Sequence, residues 1–447
     1  MVNDDFAARL KLALTGATDT SLVYLGNFEV ERQWAVGERS LPRVSSAASG
    51  AMVGHMDEFT LLLAGAGDHV VLKAAPDPDY LAYLKGLGLE LPTVHVASGT
   101  DARQSVTEDA LGDPDLLVTL SELAARGCRL VAHGVSTAEE DLARATGLPL
   151  AAPDSATCKS VNSKVYSRAV ADELGLRQPA GWGCSTVAEL AAAVGECRAL
   201  LAAGRRIGVK EAFGVSGKGI AVVDDERRLD RLHRMIVRGA EAGRVSFVIE
   251  EWVAKAADLN YQFTVSKDGS VRFDFVKEAI TERGVHKGHR MPADLPAGTL
   301  EEIRDAAELL GGRLAADGYF GVAGVDAFVD PDGGLYPVIE INARHNMSTY
   351  QVPLQEKLIG PAQVALARYY PLPLERPLPF GEVNRMLDGL MLAHSGGTGL
   401  VVNNFATVNA GAGSGSFEGR LYGVVVADTT EELAAIDQRI TERLGEG

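Results

Sequence analysis

Near Asp154 the pattern of the chain changes, and the change restricts it to folds in which an alternating α/β unit is followed by an antiparallel one. Before that point, short apolar runs at 21–27 (SLVYLGN), 68–73 (DHVVLK) and 129–132 (RLVA) read as buried strands separated by helical stretches. Ser136 with Glu139, and Thr186 with Glu189, have the spacing of a capping box, in which each side chain satisfies a free backbone N–H at a helix start. Residues 1–153 are therefore expected to form an open α/β domain. After Asp154 come an amphipathic helix from Lys159 to about Gly175, a strand at 207–210 (IGVK), a glycine-rich loop, a helix at 227–239 and a strand at 246–253 (SFVIEEWV). Antiparallel signals follow: 261–266 and 271–280 flank the turn Lys267-Asp268-Gly269, and 321–330 and 335–342 flank Pro331-Asp332-Gly333-Gly334. Between these hairpins Thr299 and Glu302 are expected to cap a helix with Leu300, Ile303, Ala307, Leu310 and Leu314 on its apolar face.

The proline-rich stretch 369–380 (YYPLPLERPLPF) reads as a connector to a small tail domain, whose last helix opens at Thr429 with Glu432. The expected units are 1–153, 154–255, 256–375 and 376–447, a mixed α/β and α+β multidomain chain. The formal net charge of −17 disfavours nucleic acid, whose partners usually carry a basic stripe. No run approaches the roughly 18 apolar residues a membrane span needs, and two aspartates near the start do not suit a secretory signal. Cytoplasmic residence is the default expectation. Cys128, Cys158, Cys184 and Cys197 contain no Cys-x-x-Cys pair and are expected to be reduced and structural.

The chemistry concentrates on the second hairpin. Asp326 and Glu340 fall on adjacent strands, and Asn342 follows Glu340 by two residues on the same strand face. Three oxygen donors of this kind suit one or two Mg2+ ions carried on nucleotide phosphates. Lys210 ends the strand at 207–210, and the loop Gly214-Val215-Ser216-Gly217-Lys218-Gly219 lets backbone N–H groups approach phosphates, although its spacing is not that of a Walker loop. Lys164 and Arg344 can add positive charge. Glu250, Glu251, Trp252 and Val253 form a hinge whose backbone can read an adenine edge, and Asp258 can accept from ribose hydroxyls.

In this order, Lys164, Lys210, the glycine-rich loop, the Glu-Glu hinge, Asp258, Asp326 and Glu340-x-Asn342 resemble the ATP-grasp superfamily, over roughly residues 155–375. Together with the flanking domains, the chain is similar to peptide ligases of natural-product biosynthesis. The resemblance implies an amino-terminal Rossmann-like pre-ATP-grasp domain, a two-lobed ATP-grasp domain and a small carboxy-terminal domain. It also implies ATP with its phosphates on Lys164 and Lys210, adenine near Glu250, Glu251 and Val253, ribose on Asp258, and two Mg2+ ions on Asp326, Glu340 and Asn342. The activity implied is ligation, by way of an acyl phosphate, of a small-molecule carboxylic acid, a guanidino-bearing amino acid, to the amino group of a peptide.

Many relatives carry an arginine two residues before the first metal acid, where this chain has Gly324; Arg344 or Arg290 is expected to replace it. His286 and His289, flanked by Gly284, Gly288 and Pro292, are expected on a loop that closes over substrate, with His289 or Arg290 near the acyl phosphate. The alternatives are a thiol or small-amine acceptor, use of bicarbonate, or a regulator that binds ATP without turnover. Dinucleotide binding lacks its motif, since Gly65-Ala66-Gly67 has no third glycine. Neither a nucleic acid nor a membrane is an expected partner, and a homodimer stands only as a prior.

Overall fold

The structure, a computed structural model, describes residues 5–41, 48–99, 101, 103–214, 219–238, 243–282, 285–413 and 415–445. In chain order its strands are β1 (Leu22–Leu25), β2 (His69–Leu72), β3 (Thr93–Val96), β4 (Arg129–Ala132), β5 (Gly181–Cys184), β6 (Ile207–Glu211), β7 (Ile220–Val223) and β8 (Phe247–Glu251). They continue with β9 (Ala257–Val265), β10 (Val271–Glu282), β11 (Val285–Met291), β12 (Gly321–Val329), β13 (Leu335–Asn342), β14 (Val364–Leu374), β15 (Gly399–Asn404) and β16 (Phe417–Ala427).

The first sheet, in the order β3-β2-β1-β4, is parallel throughout. Leu22, Tyr24, Val70 and Leu72 bury into one core while Val23, Leu25 and Val71 bury into another, as a sheet covered on both faces requires. The strand order reverses at β1, so the turns after β1 and β4 form the crevice where such sheets place ligands. Asn27 Nδ2 closes its base by donating to the Gly134 carbonyl at 2.8 Å. Both expected capping boxes, Ser136 with Glu139 and Thr186 with Glu189, are present.

A second, antiparallel sheet has the order β5-β8-β6-β7. The third is an antiparallel run of eight strands, β13-β12-β9-β10-β11-β14-β16-β15. Its two expected turns are in place, with Gly269 at φ +87° and Gly333 at φ +82°, conformations in which a Cβ is strained. Helix Ala297–Ala316 covers one face, setting Ile303, Ala307, Leu310 and Leu314 against Leu259, Tyr261, Phe263 and Val325. Each such leucine or isoleucine contributes roughly 1.5–3 kcal/mol through burial. The helix starts after Pro296, so Thr299 lies inside its first turn and does not cap it.

Two further expectations change. Residues 285–291 are not a loop: β11 pairs with β10 on one side and β14 on the other. Its glycine is there for close approach, since a Cβ on Gly288 would lie 2.0 Å from the Ala367 carbonyl oxygen. Arg283, Gly284 and the side chain of His286 lie outside the described residues. The proline-rich stretch also begins as strand, β14 pairing with β16 along its whole length but with β11 only from Ala365 to Arg368. Pro371 and Pro373 therefore fall where one strand edge is open and a missing N–H costs no ladder bond. Among the described residues no helix is long and apolar enough to cross a membrane.

Candidate active site

The alternation of β12 and β13 brings the expected acids together. Asp326 lies opposite Glu340, and Gly324 opposite Asn342, so the three polar side chains share the sheet face away from helix Ala297–Ala316. On the other side of β12, Asn260 lies opposite Asp326 and donates to its Oδ1 at 2.9 Å, while the Asn342 amide is 3.5 Å from Oδ2. Asn260 Oδ1 is buried with no partner. Burial pushes the Glu340 carboxyl above the usual range; Lys164 pulls it down, and Asp326 and Glu31 push it up.

Lys164 opens helix Lys164–Glu173 behind the Ser163 cap. Its Nζ reaches Glu340 Oε1 at 2.5 Å and the Gly214 carbonyl at 3.0 Å, joining the acid to the start of the glycine-rich loop. Val215, Ser216, Gly217 and Lys218 lie outside the described residues; Gly219 re-enters at φ +84°. Lys210, on β6, is buried against Glu250 of β8, which also lies 3.6 Å from Arg168. Glu251 pairs with Arg205 at 2.8 Å. The Trp252 ring packs over Gly208, where a Cβ would approach it to 2.9 Å, and Lys210 Nζ stands 5.8 Å from the ring centre. Val253 follows, partly buried, and Asp258 at the start of β9 pairs with Lys255 at 2.6 Å.

Of the two candidate arginines, the structure brings Arg344 to the acids and not Arg290. Arg344 Nη2 donates to Asn342 Oδ1 at 2.9 Å and to Glu31 of helix Val30–Trp34, more than 300 residues away in the chain. Burial opposes its charge, but Glu31, with Glu340 and Asp326 behind it, holds the guanidinium pKa above its ordinary value. Arg290 points to the opposite sheet face, where it meets Glu278 at 3.4 Å. His289 is on the active face but buried, with Ser348 Oγ 3.2 Å from its Nε2.

Three residues that sequence reasoning missed complete the face. Glu31 carried no local signal. Asn346 occupies the room left by Gly324: a Cβ there would lie 2.3 Å from Asn346 Nδ2. Lys277 is fully buried and donates to the Ser348 carbonyl at 3.2 Å and Gln351 Oε1 at 3.0 Å; burial holds its pKa well below the lysine range. Only its place opposite Asn260 in the β9–β10 register shows that it belongs here.

Asp326 and Glu340 fit a magnesium ion on chemical grounds: two carboxylates and an amide oxygen on one face, and a buried amide oxygen without a partner beside them. Among the described residues no group of three or more histidine, cysteine, aspartate or glutamate side chains is arranged to hold a metal by itself. All four cysteines are free and buried, and burial pushes the Cys158 thiol up to about 12, far from a reactive thiolate.

The parallel α/β unit with its crevice after β1 and β4, and the antiparallel sheet carrying Asp326 and Glu340 with Lys164 beside them, match known families over parts of the chain. Residues 172–354 match the ATP-grasp domain family, and residues 56–148 match the Pre ATP-grasp domain family. By sequence the chain is 28% identical over 327 residues to the [butirosin acyl-carrier protein]–L-glutamate ligase of Niallia circulans, covering 72% of each chain. By fold it resembles an N5-carboxyaminoimidazole ribonucleotide synthetase solved with ADP, at TM-score 0.54 and 13% identity over 95% of this chain and 98% of that one. It also resembles a Campylobacter jejuni biotin carboxylase solved as a beta-gamma-ATP complex, at TM-score 0.55 and 14% identity over 95% of this chain and 91% of that one.

Proposed function

We propose that the chain is an ATP-dependent, ADP-forming ligase that joins a carboxylate to an amine. The observation that carries this reading is the convergence of Asp326 and Glu340, side by side in register, with Lys164 and Arg344. ATP and a carboxylate are both anions, so the first step demands positioning and charge neutralisation. Lys164 and Lys210 receive the phosphates, with Gly214, whose carbonyl meets Lys164, and Gly219 adding backbone beside them, and Glu250 to Val253 and Asp258 border the nucleoside. Asp326, Glu340 and Asn342 would hold magnesium, which would supply further neutralisation of phosphate charge. Arg344, held by Glu31, orients the carboxylate.

A carboxylate oxygen attacks the γ-phosphorus, the bond to the β–γ bridging oxygen breaks, and ADP leaves. The acyl phosphate then has phosphate as its leaving group. The acceptor amine attacks the carbonyl carbon, an amide forms, phosphate departs and the amine loses a proton. The substrate proposed is a nonproteinogenic, guanidino-bearing amino acid joined to a peptide, as in the peptide ligases of pheganomycin biosynthesis, whose domain order this chain resembles. A second reading places the acceptor, amine or thiol, on a carrier protein; the relative named for ligation of L-glutamate to an acyl-carrier protein favours it.

Purified protein incubated with ATP, magnesium, hydroxylamine and a panel of carboxylic acids tests the common core. ADP and hydroxamate in equal amounts are expected. AMP as the product would sink the mechanism.

A further inference from the structure

A chain with net charge −17 carries a concentrated block of exposed positive charge on a helix that supplies none of the site residues named above. Helix Glu226–Arg238 (ERRLDRLHRMIVR) carries Arg227, Arg228, Arg231, Arg234 and Arg238, all exposed. At 100° per residue, Arg227, Arg231, Arg234 and Arg238 fall within about 60° of one another and form a stripe about 16 Å long. Arg228 is paired with Asp224 at 3.0 Å, and the acid Asp230 is taken by Arg198 of the neighbouring helix at 3.0 Å. Among the described residues none of the four stripe arginines has a carboxylate partner. Beside them Met235 is 41% exposed.

The helix does not need this stripe to fold. Its opposite side, Leu229, Leu232 and Ile236, is buried in the core beneath β6 and β8. Four like charges at i, i+4, i+7 and i+11 repel one another, each pair by a few tenths of a kcal/mol. Spacing of this kind is complementary to carboxylates set at the same intervals along another helix.

We propose that the exposed face of helix Glu226–Arg238 is a docking surface for an acidic helical segment of another protein, with Arg227, Arg231, Arg234 and Arg238 paired to its carboxylates and Met235 against its apolar edge. The charge pattern favours a compact acidic protein over other polyanions. A nucleic acid continues past a 16 Å stripe and would meet the acidic remainder of this chain, which repels it. A membrane surface needs a broad apolar helix face, and the apolar residues of this helix are already buried. The surface is independent of which acid or acceptor the active site uses.

The full-length protein is titrated into three fluorescent probes at low ionic strength: a helical peptide of about 20 residues with glutamates at i, i+4, i+7 and i+11, a 20-base-pair DNA duplex, and phosphatidylserine vesicles. The acidic peptide is expected to bind, its glutamine counterpart at least about tenfold more weakly, and 250 mM NaCl to weaken the complex by about tenfold, as screened surface pairs do. Arg231→Glu/Arg234→Glu should reduce peptide binding at least about tenfold while leaving thermal melting and ATP turnover unchanged. Equal binding by that variant, no preference for glutamate over glutamine, or tighter binding of the duplex or the vesicles would each overturn the proposal.

Discussion

In and beside the antiparallel sheet β5-β8-β6-β7, each acid meets its cations directly: buried Lys210 and Arg168 both face buried Glu250, and the partly buried Glu251 meets the exposed Arg205. Across from it, β12 and β13 set Asp326 and Glu340 side by side, and the positive charge near them arrives from other elements, Lys164 from a helix start and Arg344 already engaged by Glu31. A closed pair holds a side chain in place and contributes little net charge. Adjacent acids with borrowed compensation are poised to accept a cation. On the proposed reading, the first region holds Lys210 in place for the phosphates, and the second is where an added cation would sit.

The sharpest way to break this contrast is Asp326→Asn, which removes charge without volume. Turnover measured as ADP release should fall by about 1000-fold or more, the scale of losing a group that stabilises phosphoryl-transfer charge, while the melting temperature holds or rises. Near-normal turnover would remove the acids from the reaction. On the other side, Lys210→Met leaves buried Glu250 with Arg168, 3.6 Å away, as its remaining cation and should cost up to about 3 kcal/mol in urea unfolding. Adding Glu250→Gln should restore most of that stability without restoring activity. If the single variant is as stable as the parent, the pair is not a scaffold.

A smaller effect tests the face between them. Gly324→Ala should destabilise the fold by about 1–3 kcal/mol, because Asn346 is pinned by hydrogen bonds from the Ser348 and Thr349 amides and cannot swing aside freely. In an Asn346→Ala background the penalty should largely vanish.

The mildest prediction concerns pH. Glu58 is buried and accepts from the Phe405 and Ala406 amides, and burial raises its pKa to about 7 despite those bonds. Between its unfolded value and that one, the folded state holds a proton that the unfolded state has lost. Its contribution therefore falls as pH rises from about 4.5 to 7, by at most about 3 kcal/mol. Glu58→Gln should flatten that part of a melting-temperature profile; an unchanged slope would assign it to other groups.

The trio Asp326, Glu340 and Asn342 was legible because strand alternation is local: a turn and a period of two are enough to put them on one face. Both hairpin turns and the capping boxes at Ser136 and Thr186 were legible for the same reason, whereas Thr299 with Glu302 has the same local spacing and yet lies inside a helix that starts after Pro296. Strand β11 was misread because glycines at 284 and 288 look like loop residues, whereas Gly288 is small to let the Ala367 backbone approach. The proline-rich stretch was misread because a proline at an open strand edge looks, in sequence, like one in a linker.

By itself, then, the sequence determined an α/β unit followed by an antiparallel one, together with the acids and lysines whose chemistry points to phosphate. Only the tertiary structure decided that Glu31 holds Arg344, that Asn346 fills the room beside Gly324, that Lys277 lies on the same face as Asn260 and Asp326, and that Arg290 lies on the other side of the sheet. Periodicity fixes which face a side chain takes within its own strand. Which distant residue meets it there is set by how sheets stack and in what order strands pair, and no local pattern encodes that.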